Sequence, residues 1–501
     1  MKVLPVTVIG ELQDIVGRDN VIIDSHRTMA YECDAYVAEK FMPSAVIFPE
    51  TTEQVAAAVR CLGKAGVPFL PRGAGTGLSG GATPLNHEVV ISLAKMDKLL
   101  DIDYENRRAT VQPGFVNLRL TKHMAAQGYY YAPDPSSQSV CTIGGNFAEN
   151  SGGSHCLKYG VTTNHVVAAE VVLPSGDVVT VGEAYGDAVG YDLLGVLVGS
   201  EGTLGITTAI TVKILPRPEA VKTILAYFDQ VDQASQTVSD IISNGIVPAA
   251  CEMMDQLAMQ AVDKSMYHVG YPEDIEAVLL LEVDGLAASV EDSVQRVSAV
   301  CAQNHVRAFR TAHDDTERAL WWNSRKMAFP AIGQISPDYL VQDGVIPRTK
   351  LSAVLKRVGE LSAEFGLRVA NVFHAGDGNL HPLICYDARI PGQLQQAMSL
   401  GQRILEVCVD MGGSITGEHG VGIEKIGHMA YMFSGADLGA QQSLRQVFNP
   451  EGLCNGGKVI PLPGACVESR TQTKGRPPVR PSGETAGMVA VGGEMAGPGP
   501  A

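Results

Sequence analysis

Residues 71–81 read P-R-G-A-G-T-G-L-S-G-G. Five glycines in eleven residues cannot form the interior of a helix or strand, because glycine loses the most freedom on ordering and offers no side chain to pack. Without Cβ atoms, however, successive backbone N–H groups can turn toward one anion, and a diphosphate suits such a nest. Gly75-Thr-Gly77-Leu-Ser-Gly80 also satisfies G-x-G-x-x-G. That dinucleotide fingerprint requires a helix to begin at once, so that its N-terminus meets the pyrophosphate. Here A-T-P-L-N follows, and then the strand-like E-V-V-I-S-L of 88–93. The Rossmann reading fails on context, while the anion nest stands. A tight surface turn would not need so many glycines.

Two further clusters extend the pattern. Residues 133–146, P-D-P-S-S-Q-S-V-C-T-I-G-G-N, continue into N-S-G-G at 150–153, and G-S-E-G-T-L-G-I occupies 199–206. They combine close-approach glycines with short hydroxyl and amide donors. Three such clusters before the break at Pro216-Arg-Pro218 point to one large, extended polar ligand touched at several places.

The rest of the composition limits what else the chain can be. Its 501 residues suggest two or three domains. Thirty-eight Lys and Arg stand against 54 Asp and Glu, and a formal charge of −16 argues against non-specific binding to nucleic acid or an anionic membrane. No apolar run approaches the ~20 residues of a membrane span. Pro5 breaks the short N-terminal apolar patch and no cleavage-site pattern follows it, so a cytoplasmic location is expected. Ten scattered cysteines without C-x-x-C predict neither a disulfide framework nor an iron–sulfur cluster.

Periodicity predicts an N-terminal helical arm over 1–42 and a first domain over 43–217, with a capping box Thr51-x-x-Gln54 opening a helix that buries Val55, Val59 and Leu62. From 218 to 445 strands alternate with long helices in two β-α-β-β-α-β rounds, the last strand at 413–416. This predicts an α+β domain of two ferredoxin-like units, one mainly antiparallel sheet with helices on one face. A segment over 446–462 follows, and the Gly- and Pro-rich 463–501 is expected to be a disordered tail.

The second half carries a different constellation. N-V-F-H-A-G-D-G-N-L-H-P places His374, Asp377, Asn379 and His381 around a glycine turn, and a hairpin of this length can bring the two imidazoles together. G-G-S-I-T-G-E-H-G-V-G sets Glu418 beside His419. Two imidazoles and one carboxylate with open positions describe a catalytic metal site rather than a closed structural one. Neighbouring side chains in extended backbone point opposite ways, so either Glu418 or His419 can ligate while the other faces substrate. Any one of these histidines alone would be read as an ordinary hydrogen-bonding residue beside a turn. Arg325 and Lys326 close a helix near the only two tryptophans, where they can complement the helix dipole or pair with a substrate carboxylate.

Taken together, P-R-G-A-G-T-G, T-I-G-G-N-F-A-E-N-S-G-G, G-S-E-G-T-L-G-I, H-x6-H and G-E-H-G resemble the FAD-linked 2-hydroxy-acid dehydrogenases. Their FAD-binding domain is of the vanillyl-alcohol-oxidase (PCMH) type, and they include the catalytic flavoprotein of bacterial glycolate oxidase (glycolate dehydrogenase) and the D-lactate and D-2-hydroxyglutarate dehydrogenases. The resemblance spans residues 40–460. It implies FAD held by Arg72, Gly73, Ala74, Gly75, Thr76, Gly77, Leu78 and Ser79 around the pyrophosphate. Pro133, Ser137, Thr142, Gly145, Asn150, Gly153, Glu201, Gly202, Gly205, Ile206 and Asn455 would line the remaining cofactor. With no His in the first glycine loop, the flavin is expected to be non-covalent.

The resemblance further assigns His374, His381 and Glu418 to a divalent metal, zinc first with iron or manganese as alternatives. His419 becomes the base, Arg325 the substrate clamp with Lys326 a weaker carry-over, and Asn379 joins the catalytic set. The activity implied is oxidation of glycolate or D-lactate to the 2-oxo acid. Electrons would leave through a second flavoprotein subunit and an iron–sulfur subunit, which would also hold the chain at the inner face of the membrane. The rivals are a stand-alone D-lactate or D-2-hydroxyglutarate dehydrogenase and a non-catalytic flavin relay; the latter would need no metal site. One departure is Asn455-Gly-Gly-Lys458, where the family reads N-P-G-K.

Overall fold

Thr51 caps the helix Thr52–Lys64, its hydroxyl accepting from Gln54 N at 3.3 Å. Gln54 Oε1 accepts from Glu50 N instead of Thr51 N, so the reciprocal half of the expected box sits one residue earlier. The helix buries Val55, Val59 and Leu62, as the spacing predicts. They face a four-stranded sheet in the order Val21–Ile22, Ala45–Ile47, Val89–Ser92, Phe69–Arg72, whose last three strands are parallel. The computed structural model describes residues 4–186 and 189–461. The expected tail at 463–501 lies outside the described residues.

A second sheet, antiparallel throughout, runs Leu99–Asp103, Arg108–Val111, Ile206–Lys213, Val166–Val172, Val178–Gly182. Ile206–Lys213 alternates buried and half-buried residues along its length, the period of a strand with one face on a core. After Gly80 the chain makes turns up to the strand Val89–Ser92, which removes the Rossmann alternative.

The second half is built on a nine-stranded sheet whose central order is Ala308–Thr311, Ala220–Phe228, Ala277–Gly285, Ala250–Asp255, Val369–His374. Two expectations need correction. Helices cover both faces: Ile224, Ala226 and Phe228 pack into one core with the helices Val231–Ser243 and Ala287–Gln303, while Leu225 and Tyr227 pack into another with Gln256–Asp263 and Asp315–Lys326. Consecutive apolar residues along one strand leave both faces in need of cover. The strand expected at 413–416 is a single bridge between Ser414 and Val345. There the Cβ of any residue replacing Gly413 would lie 1.7 Å from the Val345 carbonyl oxygen.

Beyond the helix Gly435–Phe448 the chain returns to the first half. Cys454 bridges to Phe69, Asn455 N donates to Phe69 O, and Asn449 Nδ2 donates to Thr203 O. Among the described residues no helix is long and apolar enough to cross a membrane.

Candidate active site

One cavity of about 410 Å³ lies between the two halves. On the nucleotide side its wall includes Arg72 through Leu78, Ser137, Thr142, Gly145, Glu201, Gly202, Gly205 and Ile206. Much of that wall is bare backbone. A Cβ on Gly73 would stand 2.7 Å from Thr142 Oγ1, and one on Gly202, which has φ +67°, would stand 2.6 Å from the Pro71 ring. Arg72 is almost wholly buried, with Nη1 donating to Ala82 O at 3.2 Å. A buried cation beside turning backbone suits the diphosphate of FAD, and the three glycine segments suit its length.

Five predicted cofactor residues stand behind the wall rather than on it. Ser79 accepts Ile423 N at its carbonyl, and the Pro133 carbonyl accepts from Asn117 Nδ2. Asn150 takes the left-handed cap of the helix Ile143–Glu149 with Oδ1 on Thr163 N, and Gly153 packs against the Asp134 backbone. Asn455 donates from Nδ2 to the carbonyls of Gly81 and Glu201, at 3.0 and 2.7 Å. Short polar side chains satisfy nearby backbone first, so these residues shape the cavity without reaching it. In the Asn455-Gly-Gly-Lys458 turn, Lys458 Nζ donates to Asn455 Oδ1 and Gly81 O, so the turn is braced without the family's proline.

Across the cavity lie His374, His381, Glu418 and His419. His374 ends the strand Val369–His374, and His381 follows the short strand Asn379–Leu380 that pairs with it. This hairpin sets the rings 5.1 Å apart and perpendicular. Glu418 Oε1 is 3.3 Å from His374 Nε2 and 3.0 Å from His381 Nε2. Burial alone would raise the Glu418 pKa, but the two imidazoles hold it well below the usual carboxylate range. Glu252 accepts His374 Nδ1–H at 2.7 Å, which turns Nε2 toward Glu418 and His381 as the atom placed to ligate. The donor set therefore fits a divalent cation.

His419 stacks on His381 with centroids 4.9 Å apart, and its Nε2 is 3.9 Å from Glu418 Oε1. Burial pulls its pKa down to about 4 against the opposing pull of Asp343, so the imidazole is neutral near pH 7.

Arg325 and Lys326 both reach the cavity from the last turn of the helix Asp315–Lys326. Arg325 already has a partner within the protein. Its Nη2 is 2.5 Å from Glu252 Oε2 in a fully buried ion pair. Lys326 is the more open of the two, its closest carboxylate, Asp134, lying 3.9 Å away. Asn379 is buried and off the cavity wall, packed where a Cβ on Gly417 would come within 2.6 Å of its side chain.

Sequence reasoning missed three carboxylates. Glu252 sits among apolar residues in the strand A-C-E-M-M-D, where an acid between Cys251 and Met253 was the only signal. Asp343 lies under the G-E-H-G loop, accepting Thr416 Oγ1 at 2.6 Å, Gly417 N at 2.9 Å, His419 N at 3.0 Å and Lys425 Nζ at 3.2 Å. Glu201, read as a cofactor residue, also grips this loop by accepting Val421 N and Gly422 N at 2.7 Å each. Glu149 is a further unforeseen cavity residue, its carboxyl raised well above the usual range by burial and by neighbouring Glu201.

Comparison with known proteins agrees with this geometry. Residues 43–182 match the FAD binding domain family, and residues 217–459 match the family described as FAD linked oxidases, C-terminal domain. Glycolate oxidase subunit GlcD of Escherichia coli is 46% identical over 92% of both chains. GlcD of Bacillus subtilis is 37% identical over 90% of this chain and 96% of its own. D-lactate dehydrogenase of Anaerostipes hadrus is 32% identical over 84% of this chain and 90% of its own. The solved structure of p-cresol methylhydroxylase with substrate bound superposes with a TM-score of 0.78 at 16% identity, covering 92% of this chain and 98% of that one, a likeness of fold. The chain thus has a vanillyl-alcohol-oxidase-type FAD-binding fold and belongs to the FAD-linked oxidases that include glycolate oxidase subunit GlcD.

Proposed function

We propose that this protein is the flavin-dependent catalytic subunit of a glycolate oxidase, converting a small 2-hydroxy acid, glycolate first, to the 2-oxo acid. The observation that carries the reading is the convergence, in one cavity, of a backbone nest with an imidazole–carboxylate cluster and two cations. A flavin relay has no use for the second group.

In this reading Arg72 and the backbone of 73–78 hold the FAD diphosphate, while Ser137, Thr142, Gly145, Gly202, Gly205 and Ile206 flank the remainder without a covalent link. Bound FAD supplies the hydride acceptor for the substrate C2 hydrogen. His374 Nε2, His381 Nε2 and Glu418 Oε1 hold the divalent cation, zinc first. Bound there, such a cation would supply Lewis acidity beside the substrate hydroxyl. Lys326 and Arg325 orient the substrate carboxylate. His419, already neutral, accepts the hydroxyl proton at Nε2. Proton and hydride thus leave on separate acceptors, and the 2-oxo acid remains.

Re-oxidation of the flavin falls to partner subunits, a second flavoprotein and an iron–sulfur protein, since this chain has no grouped cysteines. That assembly would keep the chain in the cytoplasm, at the membrane's inner face. Similarity to D-lactate dehydrogenase keeps a stand-alone D-lactate enzyme as the second reading. Steady-state assay of glycolate, D-lactate and D-2-hydroxyglutarate with an artificial acceptor separates them. Turnover of none of the three removes the hydroxy-acid reading, and preference for D-lactate without partners selects the alternative. Acid precipitation should release yellow flavin to the supernatant; flavin retained on the pellet would contradict non-covalent binding.

A further inference from the structure

Glu252 touches both kinds of recognition group in the cavity wall. It stands in the strand Ala250–Asp255, where the antiparallel register pairs it directly with His374. Directly opposed residues project on the same face of a sheet, so the carboxylate lies against the imidazole by construction. His374 Nδ1 is 2.7 Å from Oε1 and 2.9 Å from Oε2. The same Oε2 is 2.5 Å from Arg325 Nη2. Glu252 is fully buried, while Arg325 and His374 are 2% and 4% exposed.

A buried carboxylate with two cationic or polar partners is costly to leave half-paired, so the three side chains stand or fall as a set. By contact at Nδ1, Glu252 orients the ring so that Nε2 faces Glu418 Oε1. It also holds the guanidinium by an ion-pair contact at Nη2. Arg325 Nε and Nη2 are both buried without a hydrogen bond among the described residues, so N–H groups remain for an anion.

Resting on the function proposed above, the geometry points to Glu252 as a positioning residue that couples the two contacts. Through His374 it sets the affinity for the cation, and through Arg325 it sets recognition of the substrate carboxylate. One carboxylate thereby fixes the distance between the site for the hydroxyl and the site for the carboxylate. This favours 2-hydroxy acids over 3-hydroxy acids, because only in the former do those two groups sit on adjacent carbons.

The test compares Glu252→Gln with the unmutated protein, both loaded with FAD. Zinc affinity, measured by competition with a chromophoric chelator, should fall about 10–100-fold. Glycolate KM should rise while flavin content stays the same. In an Arg325→Ala background Glu252→Gln should still weaken zinc binding but should no longer raise KM. A purely structural role would lower thermal stability and leave zinc affinity and KM where they were, and that result overturns the inference. Should the Gln variant fail to fold, Glu252→Asp, which keeps the charge and retracts it by one methylene, must weaken zinc binding in a folded protein; unchanged affinity overturns the inference equally. If the unmutated protein neither takes up zinc nor oxidises a hydroxy acid, the proposed function itself fails. That outcome is distinct from one in which it does both and the Glu252 variants match it.

Discussion

On the nucleotide side of the cavity, Gly73 and Gly202 bring bare backbone to the ligand. On the opposite side the wall carries ionisable side chains, held from behind by Glu252 and Asp343. The contrast shows two ways of making a site. Backbone donors are in place once the turns form, because their positions follow from φ and ψ alone. Imidazoles and guanidinium groups have rotatable bonds and titratable protons, so each needs a partner to fix its orientation and charge. The first kind of wall should therefore fail by steric filling, and the second by loss of a charge or proton carrier.

The largest separation between the walls should come from His419→Asn. Removing a positioned base should slow flavin reduction by substrate about 10²–10⁴-fold, followed by anaerobic rapid mixing. FAD and metal content should be unchanged. A variant that bleaches as fast as its parent moves the base elsewhere, and one that loses metal makes His419 a ligand.

Asp343→Ala probes the support rather than the wall. Asp343 and Lys425 are both fully buried and 3.2 Å apart. Breaking such a pair from one side costs about 3–5 kcal/mol, to be read as a fall in unfolding free energy in denaturant titration. A loss of less than about 1 kcal/mol, the range of surface ion pairs, would show that the loop does not depend on this carboxylate.

Gly202→Ala attacks the opposite wall. With φ at +67° and Pro71 2.6 Å from the new methyl, the backbone must shift, at about 1–3 kcal/mol by analogy with overpacked cores. FAD should be lost more readily on gel filtration while zinc uptake stays normal. Concurrent loss of zinc would mean that the two walls are not separable.

The smallest effect concerns the junction between the halves, where His155 lies between Asp134 at 2.9 Å and Glu282 at 3.3 Å. Burial pulls the His155 pKa down, but the two carboxylates overrule it and push it up to about 10. A pKa raised in the folded state contributes stability that is complete below about pH 6.5, the unfolded value. That contribution is lost as pH rises through about 10. The side chain is 21% exposed, so a modest fall in melting temperature between pH 7 and 10 is expected. His155→Gln should flatten that slope, and an identical slope in the variant would remove His155 from the junction.

Legibility follows the same division. The loop at 71–81 was readable because glycine is the residue that tolerates positive φ and close approach, and Gly75 and Gly80 adopt φ of +73° and +79°. The pairing of His374 with His381 was readable because seven residues with a glycine turn make a hairpin. The ion pair of Arg325 was not legible, because its partner, Glu252, is remote in sequence and carries no motif. Asn150 and Asn455 were misjudged because a polar residue in a glycine-rich turn has two uses, ligand or neighbouring carbonyl, and composition does not choose between them.

By itself, then, the amino-acid sequence determined what depends on contacts between near neighbours: the glycine-rich turns at 71–81, the helix cap at Thr51, the imidazole hairpin and the adjacency of Glu418 and His419. The tertiary structure alone decided which carboxylate faces which cation. Glu252 meets His374 across 122 residues, and Asp343 meets His419 across 76. Those meetings depend on strand register and loop packing, set by the apolar cores on both faces of the sheet rather than by the charged residues themselves.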